Sequence, residues 1–327
     1  MVELFLSGLF SEVLNDLVSL RVRRSLSARC SAIVYPKQGE HGVCPTCNRA
    51  RHGLEKRAIF PFRCVGGSAG LGERMAIQVE QQERVISITW KRPPLNILDI
   101  ALLRELDGAL LACAAAGSID VVVLRGAGER AFSAGMDIRD HTREKVPEML
   151  EVVHGVIRKL LALPQVTIAA VQGACLGGGC EVASSCDFVV ATEESIFATP
   201  EILVGCYPPV ALARFSDLIG YHRAAEMILT GHRFSAREAQ AMGLINRVCA
   251  GGELQTALKS LLDELLTKSA AVLRLTVKGL RELSLQGFDE ALKRAEEIYR
   301  GELLQTEDVE EGVQAFLAKR APRWRHR

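Results

Sequence analysis

From Met75 onward, short β-rich runs alternate with segments whose apolar residues recur every three or four positions, which predicts an α/β fold. Strands are predicted at 76–80, 84–90, 120–125, 166–173 and 187–192. Helices are predicted at 99–116, 144–162, 210–230, 235–242, 254–268, 288–300 and 309–318. We therefore expect a core over residues 75–252 and a helical C-terminal assembly region over residues 253–327, whose apolar faces suit packing between copies.

The first 74 residues have a different character. Apolar residues between Leu6 and Leu20 recur at helical spacing, and the chain from Arg21 to Gly72 is irregular and rich in Pro and Gly. The segment carries 11 Lys and Arg against 6 Asp and Glu, whereas the remainder carries 29 against 33. We expect a basic extension that is either poorly ordered or upstream sequence from an over-extended start site.

The composition excludes several classes of protein. Hydrophobic residues make up 48% of the chain and the formal net charge is +1, as in a globular protein without the concentrated basic face that nucleic acid requires. Ten cysteines in a chain without a secretion signal predict free thiols in the cytoplasm, and no membrane span is expected. Cys44 and Cys47 have zinc-knuckle spacing but no second close ligand pair, so no metal is predicted.

Two glycine-containing motifs follow predicted strands. In the first, Phe132 to Asp137 reads FSAGMD, and its small residues allow a close approach by a ligand or by another part of the backbone. In the second, Gly173 to Glu181 reads GACLGGGCE between a strand and a helical run beginning at Val182. Such a turn exposes N–H groups that can stabilise developing negative charge, and neither a P-loop lysine nor dinucleotide-binding glycine spacing is present.

Glu181 and Glu201 lie in apolar surroundings at the second motif and in Phe197 to Glu201, FATPE. Carboxylates in such surroundings either form structural ion pairs or have pKa values suited to proton transfer. His141 and His154 are candidate bases as well, but we expect them on solvent-facing or helix-face positions.

The ordered series FSAGMD, GACLGGGCE, SSCDFVVAT, FATPE and LTGHRFSAREAQAMGLINRV resembles the crotonase, or enoyl-CoA hydratase/isomerase, superfamily over about residues 75–327. The resemblance implies a spiral of ββα repeats with a helical C-terminal region, assembled as a homotrimer or a dimer of trimers. It also implies an acyl-CoA thioester as substrate, with no further cofactor.

The resemblance assigns the oxyanion-hole N–H groups to Met136 and Gly178, and the two catalytic carboxylates to Glu181 and Glu201. One glutamate is expected to activate water and the other to move the proton at carbon, with the order left open. Substrate contacts are expected from the neighbouring residues of these motifs and of the loop after Glu201, namely Ala134, Gly135, Asp137, Gly177 and Tyr207.

The segment after Glu201 departs from the family pattern. It reads Gly205-Cys-Tyr-Pro-Pro-Val-Ala211 where hydratases of the family have a glycine-rich loop, so a stiffer and bulkier wall is expected beside the acyl pocket. With the motif at Met136, this feature resembles cyclohexa-1,5-diene-1-carbonyl-CoA hydratases. The alternatives are a general enoyl-CoA hydratase/isomerase of fatty-acid-type β-oxidation and a non-catalytic CoA- or RNA-binding member of the superfamily.

Overall fold

The computed structural model describes residues 76–325. Their strands are β1 (Ile77–Gln82), β2 (Val85–Trp90), β3 (Val121–Gly126), β4 (Ala131–Ser133), β5 (Val166–Val171), β6 (Ala174–Leu176), β7 (Phe188–Thr192), β8 (Ile196–Ala198), β9 (Phe234–Ser235) and β10 (Arg247–Cys249). Their α-helices are α1 (Ile100–Ala115), α2 (Val146–Ala162), α3 (Gly178–Ser184), α4 (Pro209–Ile219), α5 (Tyr221–Thr230), α6 (Ala236–Ala241), α7 (Leu254–Leu266), α8 (Ala270–Ser284), α9 (Phe288–Gly301) and α10 (Glu307–Leu317). Short 3₁₀ helices span Ile138–Asp140, Pro200–Val204 and Leu303–Gln305.

Two strands followed by a helix form the repeating unit of this part of the chain. The first strand of each later unit joins a six-stranded sheet with the order β1-β2-β3-β5-β7-β10, and the second joins a four-stranded sheet with the order β4-β6-β8-β9. The spiral of ββα repeats and the helical C-terminal region predicted from the sequence are therefore confirmed.

The inner strands of the six-stranded sheet are covered on both faces. All six residues of β5 are buried, which explains why this strand reads as a continuous apolar run rather than an alternating one. Its successive residues belong to two separate cores: Ala169 and Val171 to the larger one, Ile168 and Ala170 to a second one beneath α7 and α8. The inner strands thus form a buried support for the smaller sheet beside them.

The register of the smaller sheet decides where the sequence motifs lie. Strands β4, β6 and β8 are parallel neighbours, with Ala131 opposite Ala174 and Leu176 opposite Ala198. Because parallel neighbours end at the same edge of a sheet, the segments 134–137, 177–181 and 199–201 all leave the sheet side by side. Residues far apart in the sequence therefore meet at one edge.

A buried arginine fixes α8 to this core. The Arg281 guanidinium donates to the main-chain oxygens of Leu161 and Gln165 and pairs with the Asp187 carboxylate, with a distance of 3.0 Å from Nε to Oδ1. Removing one partner of such a buried ion pair lowers the stability of the fold, because the other charge is then buried alone. Arg281 thus holds the C-terminal helices against the ends of α2 and β5.

Several boundaries differ from the sequence-based predictions. The single helix predicted at 210–230 is two helices, because Gly220 has φ of 79° and ends α4. Helix α3 begins at Gly178 rather than Val182, so the glycines form its first turn. The sequence-based prediction missed α8, although its apolar residues recur at helical spacing, and it missed the two- and three-residue strands, which are too short to give a clear periodicity.

A solvent-facing position, one of the two predicted for the histidines, is wrong for both. His154 is completely buried on α2, with Nδ1 2.5 Å from Glu296 Oε1 of α9, and His141 is buried with Nδ1 3.1 Å from the Asp137 main-chain oxygen. A local pattern could not show that a helix more than 130 residues later covers this face of α2.

Other sequence-based predictions are tested in part or lie outside residues 76–325. The cysteines within this range are all free thiols, as expected. No helix within it is long and apolar enough to cross a bilayer. The basic extension, its helix and the Cys44–Cys47 pair lie outside the described residues, and the proposed domain boundaries stay predictions.

Candidate active site

The first motif exposes a backbone N–H group at Met136. Gly135 has φ of 100°, a conformation that side chains rarely adopt, and it turns the chain after β4. Met136 and Leu98 then pair as an isolated parallel β-bridge, whose two hydrogen bonds are made by the neighbours of Met136. The Leu98 N–H donates to the Gly135 oxygen at 3.0 Å, and the Asp137 N–H donates to the Leu98 oxygen at 2.8 Å. Because a parallel bridge uses the residues flanking Met136, the N–H group of Met136 points away from Leu98.

The second motif exposes N–H groups at the beginning of α3. Gly177 has φ of 52° and donates its N–H to the Ala198 oxygen at 2.9 Å, which holds the turn to β8. Gly178 is the first residue of α3, and the N–H groups of a first helical turn have no partner within the helix. Its N–H is therefore available to a ligand.

These two N–H groups border the same space. A Cβ atom added to Gly135 would lie 3.6 Å from the Gly178 nitrogen, and one added to Gly178 would lie 3.8 Å from the Met136 nitrogen. Glycine at 135, 177 and 178 is what allows the two turns to approach so closely, because each added Cβ would meet atoms of the facing segment. Two convergent N–H donors are a geometry that can hold an oxygen with developing negative charge.

Glu181 lies one turn into α3 and is only 4% exposed. Its Oε1 accepts a hydrogen bond from the Ala211 N–H of α4 at 3.0 Å. Burial raises the pKa of this carboxyl well above its usual range, and the main-chain hydrogen bonds from Ala211 and Val210 only partly oppose that effect. The side chain is thus fixed in position and retains a proton at unusually high pH.

Glu201 approaches from the 3₁₀ helix after β8. Its Oε1 lies against Gly177, since a Cβ added there would be 2.6 Å away, and its Oε2 is buried without a hydrogen-bond partner among the described residues. Burial raises the pKa of Glu201, and the negative charge of Glu181 raises it further. Two carboxyls that influence each other in this way titrate as a pair.

The remaining predicted site residues lie around this edge. Ala134 and Gly135 continue β4, and Asp137 caps the 3₁₀ helix at Ile138–Asp140. Hydrogen bonds from Arg139 lower the pKa of Asp137, so this carboxylate is ionised. Its contacts with Arg139 hold the start of the 3₁₀ helix. The Tyr207 hydroxyl donates to the Ala295 oxygen of α9 at 2.6 Å, and its ring packs against that of Tyr299.

Asn96 was not found by sequence reasoning, although it shapes the site. It is fully buried, and its Nδ2 donates to the main-chain oxygens of Ala127 and Ala131 at 2.9 and 2.7 Å. These bonds fix the start of β4 and thereby the first motif. The only signal in the sequence was an asparagine in a proline-rich turn, which also suits an ordinary loop.

Metal ligands are not grouped at this site. Within residues 76–325, no three His, Cys, Asp or Glu side chains lie together as a metal site. The absence of a cofactor stays a prediction.

Comparison with known proteins identifies the family of this chain. The family model described as enoyl-CoA hydratase/isomerase matches residues 80–327. A probable enoyl-CoA hydratase of Rhizobium meliloti is 36% identical over 76% of this chain and 97% of its own length. A cyclohexa-1,5-dienecarbonyl-CoA hydratase of Thauera aromatica is 30% identical over 77% of this chain and 97% of its own.

A solved structure is similar as well. The enoyl-CoA hydratase of Mycobacterium avium subsp. paratuberculosis has a TM-score of 0.70 and 30% identity, and the match covers 76% of this chain and 98% of that protein. The chain therefore belongs to the enoyl-CoA hydratase/isomerase family and is an enzyme of the carbon–oxygen lyase type.

Proposed function

We propose that this enzyme adds water to the conjugated double bond of an acyl-CoA thioester. The observation that carries the proposal is the convergence of Glu181 and Glu201 with the N–H groups of Met136 and Gly178 at one sheet edge. Hydration needs both elements, because water must lose a proton, a carbon must gain one, and charge builds up on the thioester oxygen.

In the proposed mechanism, one glutamate takes a proton from water as its oxygen adds to the β-carbon. The electrons of the double bond move onto the thioester oxygen, which the Met136 and Gly178 N–H groups hold as an enolate. The other glutamate then donates a proton to the α-carbon. The raised pKa values of both carboxyls support this exchange, because one of them can keep a proton while the other is ionised.

For the acyl group, we propose a cyclic dienoyl-CoA such as cyclohexa-1,5-diene-1-carbonyl-CoA. Support comes from the wall after Glu201, where Tyr207, Pro208 and Pro209 replace flexible residues, and from the relative in Thauera aromatica. A planar ring suits a rigid wall better than a flexible chain does.

Straight-chain enoyl-CoA is the rival substrate. A short-chain-enoyl-CoA hydratase of Clostridium acetobutylicum, which is 32% identical over 74% of this chain, favours it. The cytoplasmic location and the lack of nucleic-acid binding stay predictions.

We also propose that the enzyme assembles as a trimer or a dimer of trimers through α8. Val272, Leu275, Leu280 and Leu283 are 61, 70, 62 and 73% exposed and lie on one side of the helix. An apolar stripe of this size is typical of a contact between proteins.

The first prediction concerns the substrate and the two glutamates. Under anaerobic conditions we expect a higher kcat/KM for cyclohexa-1,5-diene-1-carbonyl-CoA than for crotonyl-CoA, with products identified by mass spectrometry. Glu181→Gln and Glu201→Gln should each lower kcat by about 10²- to 10⁴-fold, because each loses one proton-transfer group. Glu148→Gln, at an exposed surface pair with Arg104, is the matched control and should keep full activity.

Preference for crotonyl-CoA would assign the enzyme to straight-chain substrates. Wild-type rates in both glutamine variants would overturn the two-glutamate mechanism.

The second prediction tests the pair of N–H donors. In Gly178→Ala, the new Cβ would lie 2.8 Å from Met136 Cγ and 3.0 Å from its Sδ, so Met136 must shift. We expect kcat to fall about 100-fold, as for the loss of one oxyanion donor. Gly155→Ala, which adds a Cβ in open space on α2, should leave kcat unchanged. Equal rates for both alanine variants would contradict the assignment.

The third prediction concerns pH. If the active form holds one proton on the carboxyl pair, kcat/KM should give a bell-shaped profile whose acidic limb lies above the ordinary glutamate pKa of about 4.3. In Glu181→Gln, the pKa of Glu201 should fall, because the charge that raises it is removed. Carbon-13 NMR titration of the Glu201 carboxyl measures this shift. Asp263→Asn, at an exposed pair with Lys259, should not move it.

The fourth prediction concerns assembly. We expect light scattering to give the mass of three or six chains for the wild type and a smaller mass for Leu275→Asp combined with Leu283→Asp, because buried carboxylates oppose association. Lys278→Ala, outside the apolar stripe on the same helix, is the control. A monomeric wild type would exclude the proposed assembly.

A further inference from the structure

Two buried oxygen atoms near the site have no hydrogen-bond partner among residues 76–325: Oε2 of Glu201 and the hydroxyl oxygen of Tyr299. Buried polar atoms without partners cost folding free energy, and proteins keep few of them. Two such atoms on neighbouring segments therefore suggest that they act together during the reaction.

Tyr299 reaches this region from α9. The buried residues of that helix are Phe288, Leu292, Ala295 and Tyr299, which lie along one face, and Tyr299 is only 1% exposed. The Tyr207 hydroxyl holds this face through the Ala295 oxygen at 2.6 Å, and the rings of Tyr207 and Tyr299 meet edge to face with centroids 4.9 Å apart. Because Tyr207 follows Glu201 by only six residues, α9 packs on the segment that carries the carboxylate.

The surroundings of the Tyr299 ring connect it to both halves of the site. It belongs to a buried cluster with Met149, Leu150 and Cys206, and Met136 packs against the same cluster. The Cys206 thiol lies beside the Tyr299 hydroxyl, but sulfur is a weak acceptor and leaves that hydroxyl unsatisfied.

Toward a carboxylate oxygen, the protonated phenol of Tyr299 acts as a hydrogen-bond donor. Burial raises the pKa of Tyr299, and the neighbouring Cys206 and the negative charge of Glu201 raise it further. The hydroxyl therefore keeps its proton throughout the range in which the carboxyl pair titrates.

We infer that Tyr299 is a positioning residue for Glu201, with its O–H donating to Oε2 during the reaction, directly or through one water. The contact keeps the carboxylate aimed at the edge where the Met136 and Gly178 N–H groups converge. Catalytic hydrogen bonds are often long in a free enzyme and tighten when the substrate binds, which fits two atoms that are unpaired here. This inference rests on the proton-transfer role proposed for Glu201.

The inference has a defined effect on pH dependence. A hydrogen bond donated to a carboxylate favours its ionised form and lowers its pKa, so loss of the hydroxyl should raise the pKa of Glu201. The two carboxyls titrate as a pair, and the limb of the profile that the Glu201→Gln variant alters most is called the Glu201 limb. This limb should move to higher pH in the absence of the hydroxyl, whether Glu201 acts as the acid or the base.

Among residues 76–325, few other titratable groups face Glu201. Glu181 of α3 and Cys206 of its own segment are the remaining ones whose charge is coupled to it. On the other helices that pack against this segment, the charged side chains pair at the surface, as in Arg223–Glu226 of α5 and Glu311–Arg320 at α10.

The test is Tyr299→Phe, measured as kcat, KM and the pH profile of kcat/KM. We expect kcat to fall by at least about tenfold, as for a lost hydrogen bond to a charged group, with KM unchanged and the Glu201 limb at higher pH. The melting temperature should stay at or above that of the wild type, because the variant removes an unpaired buried hydroxyl.

Glu296→Gln is the matched control on the same helix. It weakens the contact with His154 that holds α9 to α2, so it should lower the melting temperature without moving the Glu201 limb. Wild-type kcat and pH profile in Tyr299→Phe would overturn the inference, and so would a loss of kcat without a shift of the limb. Full activity of Glu201→Gln would instead overturn the proposed role of Glu201, so the two failures are distinguishable.

Discussion

The parallel pairing of β4, β6 and β8 is the constraint on which the site depends. Each strand has only three residues, yet their register makes all three end at the same edge. The turn at Gly135, the turn at Gly177 and the approach to Glu201 follow from that edge. A shift of one residue in any of the three would turn the following segment to the opposite face of the sheet and separate the groups.

Placing two carboxyls at this edge requires a fold stable enough to bury them. Glu181 and Glu201 are carboxyls in an apolar interior, and their desolvation is opposed by few main-chain donors. The rest of the protein must supply the stability that this arrangement removes, and the six-stranded sheet with its two cores does so. Asn96 has a related role, because its amide satisfies main-chain oxygens that the turn before β4 would otherwise leave unpaired.

The two glycine motifs and the apolar surroundings of both glutamates are local signals in the sequence, whereas the ββα repeat and the catalytic role assigned to the glutamates came from the resemblance to the family. Gly135 and Gly177 have positive φ, and the apolar run of β5 is visible without any structure. Sequence reasoning could not reach Asn96, His154 or Tyr299, whose partners come from elements far away in the chain. His154 looks like a surface histidine until α9 is packed over it, and Tyr299 lies in a helix without any motif.

The hydrogen bond from Tyr207 to the Ala295 oxygen makes the segment after Glu201 depend on a helix that is synthesised much later. A nascent chain that has left the ribosome as far as α4 already contains both glutamates and both glycine turns. The Tyr207 hydroxyl lacks its acceptor, the Ala295 oxygen, until α9 has been synthesised about 80 residues later. A transcript cut short before α9 therefore yields a chain that has both glutamates and both glycine turns but lacks the helix on which Tyr207 packs.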